Sequence, residues 1–343
     1  MIKNKSNKSG IKLLLLFVTS ILIFLLSTTD LRAQTSIRKI ESDHIEVTLK
    51  NLKKDSIRIL QVTDLHVGST GHWEDDLNTF NRIRRLVKMY DPELIFITGD
   101  LFTGEKPYGS LLAAYAVHFF DELQRPWFYV FGNHDPEGGF GRDDIYKVFS
   151  TSEWGILGSH GSKQNKKYDY LVDINIENGE IPNWQVYAFD TGPHEGVKAI
   201  QKDQLDWYRK TAKASKIKYN KNIRALSIFH IPLLEYQKLW DDKSIKKEGV
   251  SKEKVFYEKD DGTFYKTMLE VGNIKATFCG HDHYNNYWGK YKGGIILAYG
   301  YISGESTKEA WPTGGKLITI PLKEGEISIK NVVPEFGINE HKY

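Results

Sequence analysis

Five times along this chain a short apolar run stops at a polar motif, and that repetition constrains the fold more than any other feature of the 343-residue sequence. Ile57 to Thr63 leads into Asp64, Leu94 to Thr98 into Gly99 and Asp100, and Trp127 to Phe131 into Gly132, Asn133 and His134. Ala225 to Phe229 leads into His230, and Ala276 to Cys279 into Gly280 and His281. Runs this rich in β-branched and aromatic residues read as strands buried on both faces, the pattern of a sheet layered with helices. Between them, Asp75 to Tyr90 carries Leu77, Phe80, Ile83 and Val87 at helical spacing, and Ser110 to Leu123 and Asp203 to Lys213 read as two further helices. The class is α/β. Open sheets of that class place their sites at the carboxyl ends of strands, which is where these polar motifs fall.

After His283 the apolar alternation returns at Gly294 to Tyr299, Lys316 to Pro321 and Ile327 to Val333, which reads as the closing strands of a second sheet. Asp241 to Asp261 is charged and weakly periodic, and reads as a solvated loop or insertion. No Pro- or Ser-rich linker and no internal repeat divides the rest, so residues 34–343 are expected to form one domain.

Ahead of that domain, Lys3, Lys5, Lys8 and Lys12 precede an apolar run from Leu13 to Leu26, shorter than the roughly 20 apolar residues of a comfortable membrane span. This reads as an export signal over residues 1–33, with an uncleaved membrane anchor as the alternative. Without those residues the 47 basic side chains lose five and the 44 acidic ones lose one, leaving 42 against 43. A near-neutral mature chain gives no support for nucleic acid binding. With one cysteine, Cys279, no internal disulfide is expected.

Taken singly the polar motifs are weak, since an isolated histidine after a strand is more often a satisfied interior or surface residue than a ligand. Together they change the estimate, because five polar groups at the ends of apolar strands are costly to bury without a shared purpose, and metal is the simplest one. Asp-Leu-His at 64–66, Gly-Asp at 99–100, Gly-Asn-His-Asp at 132–135, His230 and Gly-His-Asp-His at 280–283 supply carboxylate, amide and imidazole donors. That mixture suits Mn, Fe, Zn or Co better than a site selective for Mg or Ca.

The text LQVTDLH at 60–66, GNHDPEGGFGR at 132–142, FHIPLLEY at 229–236 and GHDHYNNY at 280–287 resembles the calcineurin-like metallophosphoesterases, over roughly Arg58 to Ile320. Within them it is similar to the single-domain, non-purple relatives of the purple acid phosphatases. The resemblance implies a four-layer αββα sandwich of two mixed sheets flanked by helices. It also implies that Asp64, His66, Asp100 and His283 hold one metal while Asp100, Asn133, His230 and His281 hold a second. A shared hydroxide would then attack a phosphate ester in line.

On the same resemblance His134 points toward the phosphate, to stabilise its charge or protonate the leaving oxygen, and Asp135 holds the His134 tautomer or caps a turn. Arg142 clamps a phosphate oxygen or makes an ion pair. Purple acid phosphatases carry a tyrosine ligand three residues after the bridging aspartate; Thr103 stands there in this chain, and His66 supplies the missing donor. The expected substrate is a small phosphate monoester. A phosphodiesterase acting on nucleotides or phospholipid headgroups is the second reading, and a non-catalytic exported binding module the third.

Overall fold

The computed structural model describes residues 35–52, 54–103, 109–137, 140–162, 165–177, 179–192, 196–305 and 312–334. The leader, His194, Glu195 and the glycines at 138 and 139 lie outside them. In chain order the strands are β1 (Ser36–Glu41), β2 (His44–Leu49), β3 (Ser56–Val62), β4 (Leu94–Ile97), β5 (Trp127–Tyr129), β6 (Gly155–Ile156), β7 (His160–Ser162), β8 (Asn165–Lys167) and β9 (Tyr170–Ile176). They continue as β10 (Trp184–Ala188), β11 (Ala225–Ile228), β12 (Lys247–Glu248), β13 (Ile274–Cys279), β14 (Trp288–Lys290), β15 (Ile296–Tyr299), β16 (Gly315–Pro321) and β17 (Ser328–Val332). The helices are α1 (Trp73–Tyr90), α2 (Gly109–Glu122), α3 (Arg142–Phe149), α4 (Lys202–Tyr219), α5 (Leu234–Asp241) and α6 (Thr263–Val271).

Two mixed sheets carry the fold, one ordered β1-β2-β9-β10-β11-β13-β15-β14-β12 and the other β17-β16-β3-β4-β5-β6; a separate hairpin pairs β7 with β8. Within them β3, β4 and β5 run parallel, as do β10, β11 and β13. Strand alternation sorts side chains into two cores. Val186, Ala188, Ile228 and Phe278 face the core shared with the smaller sheet, while Tyr187, Ala225 and Cys279 join the cluster formed with Leu205, Tyr208, Tyr236 and Phe264 of the helices. Helices on α1 and α2 cover the other side through Phe80, Ile83, Ala113 and Phe119, which completes the αββα layering.

The sequence reading is extended at two places. The compact unit begins at Ser36, because β1 and β2 extend the larger sheet through the parallel pairing of β2 with β9. Their text, SIRKIE and HIEVTL, mixes charge into the strands, so it lacks the buried-strand signature. The segment from Asp241 to Asp261 is mostly irregular but is not simply solvated. Val255 and Asp260 are buried, and the Asp260 carboxylate caps the start of α5 by accepting from Leu234 N–H at 2.8 Å. Among the described residues no helix is long and apolar enough to cross a membrane.

The larger sheet also holds a polar knot. Buried Asp173 on β9 meets His44 Nε2 at 3.0 Å, Gln185 Nε2 at 2.7 Å and Tyr219 Oη at 2.9 Å. Burial pushes its carboxyl up, but these partners outweigh burial and hold it below the ordinary 3.8. A carboxyl depressed by folding stabilises the fold above its unfolded pKa and loses that contribution as pH falls through the folded value. Asp173→Asn is therefore expected to melt earlier than the parent at neutral pH, with the gap closing between about pH 5 and pH 2. Thermal unfolding across that range checks it; a gap that widened in acid would contradict the assignment.

Candidate metal centre

The site is assembled by strand ends. Asp64 follows β3, Asp100 follows β4 and Asn133 follows β5 in one sheet, while His230 follows β11 and His281 and His283 follow β13 in the other. Parallel strands of both sheets release the chain at one pole, which is how residues more than two hundred positions apart come together.

Ligand-capable atoms of Asp64, His66 and His283 lie within 4.8 Å of one another, and so do those of Asp100, His230 and His281. His66 Nε2 is 3.1 Å from His283 Nε2, and His283 Nε2 is 3.6 Å from Asp64 Oδ1. In the other group His230 Nε2 is 3.1 Å from both Asp100 Oδ2 and Asn133 Oδ1. Asp100 Oδ2 is also 3.8 Å from His66 Nε2, so one carboxylate oxygen stands between the two groups. Asp64, His66, Asp100, Asn133 and His230 are each at most 4 % exposed. All seven predicted donors are thereby brought together.

Electrostatics favour lone-pair donation. Burial pushes the imidazoles of His66 and His281 down to about 3, so both are neutral near pH 7, the form that ligates a cation. Burial also disfavours charge on His230, but Asp100 at 3.1 Å overrides it and holds a proton up to about 9. The same contact holds the buried Asp100 carboxyl well below its ordinary range, against the upward push of burial. A cation in that group would take the place of the His230 proton. For Asp64, whose carboxyl burial pushes up, a neighbouring cation would supply the missing counter-charge.

The backbone is bent to make this possible. Asp64, His66, Asp100 and His281 all have positive φ, at 52°, 47°, 49° and 80°. Such left-handed geometry in non-glycine residues costs free energy and concentrates at functional sites. Close approach matters as much: a Cβ on Gly132 would lie 2.1 Å from Asp100 Oδ1 and 2.2 Å from Asp100 N. The glycine preceding Asn133 is thus a clearance for the shared carboxylate. Gly132→Ala should displace Asp100 and lower metal retention more than it lowers thermal stability, which paired metal analysis and melting would show.

The second ring nitrogens are dressed as well. His66 Nδ1 meets Thr103 Oγ1, and His230 Nδ1 lies 2.8 Å from Thr98 O. Such partners fix the tautomer and orientation of a ligating imidazole. Thr103, at the place of the purple enzymes' tyrosine, contacts the histidine that supplies the replacement donor.

Around this centre two side chains take the structural alternative of their sequence reading. Asp135 does not touch the His134 ring; its carboxylate accepts from the backbone N–H groups of Gly132 at 2.6 Å, Asp100 at 3.1 Å and Phe102 at 2.9 Å, stapling two strand-end loops together. Glu137 takes the expected place, with Oε1 2.6 Å from His134 Nδ1, because the turn at 134–137 brings residue 137 back over residue 134. Arg142 does not reach the centre either. Its guanidinium pairs with Asp190, donates to Gly132 O at 3.3 Å and packs 5.1 Å over the Phe131 ring, which makes it an anchor. Among the described residues the cationic side chain lining the site is Lys198.

A two-sheet sandwich that gathers seven donors at one pole, in two groups meeting at a shared carboxylate, is the scaffold of a dinuclear metallophosphoesterase. The chain belongs to the calcineurin-like phosphoesterases, whose family model matches residues 57–285. It is 27 % identical over 308 residues to probable inactive purple acid phosphatase 29 of Arabidopsis thaliana, covering 78 % of this chain and 77 % of that one. It is 25 % identical over 272 residues to phosphatase DCR2 of Saccharomyces cerevisiae, covering 70 % of this chain and 46 % of that protein. A crystal structure of a dimetal phosphatase from Danio rerio superposes with a TM-score of 0.58 at 12 % identity, over 82 % of this chain and 98 % of that one, a likeness of fold.

Proposed function

We propose that this protein is an exported, dinuclear-metal-dependent hydrolase of phosphate esters, with monoesters preferred over diesters. The observation that carries the reading is the complete donor set, folded into two groups that meet at Asp100. Plant relatives are named inactive, but this chain keeps every donor and places His134 in the same cavity as Asp100, Asn133, His281 and His283, which supports catalysis here. Asp64, His66, Asp100 and His283 would hold one cation, and Asp100, Asn133, His230 and His281 the other. With both bound, the chemistry supplied is Lewis acidity, which acidifies water and neutralises phosphoryl oxygens.

The chain's own residues do the rest. Asp100 N–H, anchored on Asp135, fixes the loop that presents the shared carboxylate, and His134 N–H holds Asp100 Oδ1 at 2.9 Å. Glu137 on Nδ1 orients the His134 ring so that Nε2 is the nitrogen able to hand a proton to the departing oxygen. Thr103 orients His66. Thr103→Val should therefore leave the fold intact and weaken metal binding roughly 10- to 100-fold, read by metal titration. Unchanged affinity would remove Thr103 from the centre.

Export rests on the basic region at Lys3 to Lys12 and the apolar run after it; cell fractionation with N-terminal sequencing tests it. The activity is tested by chelating the purified protein, restoring Mn, Fe, Zn or Co, and measuring hydrolysis of phosphomonoester and phosphodiester panels. Metal-restored turnover with monoesters ahead is the expected result. Protein that binds two metals yet hydrolyses neither panel would overturn the catalytic reading in favour of a binding module.

A further inference from the structure

The segment from Glu248 to Asp261 crosses the open side of the centre on a pinned backbone. Lys252 N–H donates to Tyr284 O at 3.0 Å, Glu253 N–H to Asn285 Oδ1 at 3.4 Å and Phe256 N–H to Asp282 Oδ2 at 3.2 Å; Lys259 N–H donates to Lys198 O at 3.3 Å. Among the described residues the rim so formed sets one lysine, Lys198, against the carboxyl groups of Glu253, Glu258 and Asp282, with Phe256 and Tyr284 beside them. They line the same cavity, about 330 Å³, as Asp100 and His134. That size lies at the lower end of cavities that take small organic ligands.

Lys198 is already matched, its Nζ 3.1 Å from Glu258 Oε1. Glu253 accepts from Tyr284 N–H through one oxygen. Asp282 is only 5 % exposed; its Oδ2 takes Tyr299 Oη at 2.5 Å, while its buried Oδ1 has no hydrogen-bond partner. That oxygen is closed to any visitor, so the rim carboxylate left to meet a cation is the partly exposed Glu253. Phe256 is 47 % exposed although its backbone is fixed, which keeps an aromatic face in water at the lip of the site. An aromatic face beside surplus carboxylate is the arrangement that recognises an ammonium ion.

We propose that this rim binds the alcohol portion of the substrate and that this portion is cationic, so that the preferred substrate is a phosphate ester bearing an ammonium group. The assignment rests on the phosphoesterase reading above. The phosphate goes to the metal side and the ammonium group to Glu253 and Phe256. The same carboxylates repel the trailing phosphates of a nucleoside triphosphate.

The test uses two non-hydrolysable ligands of one shape, 3-(trimethylammonio)propylphosphonate and its neutral carbon isostere 4,4-dimethylpentylphosphonate, with inorganic phosphate as reference. Calorimetry on the metal-loaded protein should find the charged ligand bound about tenfold more tightly than the isostere. Glu253→Gln and Phe256→Ala, separate perturbations of charge and ring, should each bring that ratio toward one. Equal affinity of the two ligands for the parent overturns the subsite while leaving the phosphoesterase reading intact, and so does an undiminished ratio in both variants. Failure of inorganic phosphate itself to bind overturns both together. Competition by phosphatidylcholine vesicles would mark a lipid headgroup as the source of the ammonium ester and its absence a soluble one; either result upholds the subsite.

Discussion

Asp100→Ala should empty the centre of metal and reduce hydrolysis on the order of 10⁴-fold or more, since a centre supplying Lewis acidity underlies most of an acceleration that in enzymes spans about 10⁶ to 10¹⁷. Asp100 Oδ2 lies 3.1 Å from His230 Nε2 and 3.8 Å from His66 Nε2, so both groups lose a donor at once. The loss reaches His230 too: burial and Asp100 act on its proton in opposite directions, and without the carboxylate only Asp64 and the bond to Thr98 O oppose burial. Asp100 has φ 49°, a conformation strained for alanine by roughly 1 kcal/mol or more. Asp100→Asn separates strain from charge, because asparagine tolerates that backbone and keeps the shape. Both variants should lose metal by elemental analysis, with Asp100→Asn melting closer to the parent. His281→Ala, which removes a donor from one group only, provides an independent case. Full activity with unchanged metal content in any of them would sink the site assignment.

The centre was legible because its information is local. Each donor sits just past an apolar run, so residue type and strand-end position can both be read in one short stretch, as in Leu94 to Asp100. The reason for Gly132 is visible only in the fold, where an added Cβ would strike Asp100. The αββα architecture followed from the same buried strands together with the family resemblance. What escaped depends on partners distant in the chain. β2 is a strand because β9, more than a hundred residues later, pairs with it, and HIEVTL alone carries no buried-strand signal. Glu253 and Phe256 reach the rim only through bonds to the turn at 282–285, so a charged, aperiodic segment could not reveal that it overhangs the site.

The structural roles of Asp135 and Arg142 have a related cause. Adjacency to His134 suggested that Asp135 holds the ring, yet consecutive residues at a strand end point in different directions, and its carboxylate turns inward to three backbone N–H groups. For Arg142 the deciding partner is Asp190, 48 positions away. No spacing rule links those two residues, so the buried pair is visible only in the fold.

His134→Ala is the variant that separates chemistry from metal binding. The ring contributes no atom to either donor group, and the bond from His134 N–H to Asp100 Oδ1 belongs to the backbone, which alanine retains. Both metals should therefore stay while turnover slows by roughly 10²- to 10⁴-fold if acid catalysis is the main role. The loss should depend on the leaving group. A nitrophenolate departs without needing a proton, whereas a sugar or alkyl alkoxide does not, so a general acid predicts a much smaller defect on the activated ester. Glu137 sharpens the test: with its carboxylate 2.6 Å from Nδ1, Glu137→Gln should reproduce part of the alkyl-ester defect without touching metal content. Equal defects on both ester types would assign His134 to charge stabilisation at the phosphoryl oxygens. Loss of metal would make it a structural support of the centre, and undiminished turnover on alkyl esters would remove it from the mechanism.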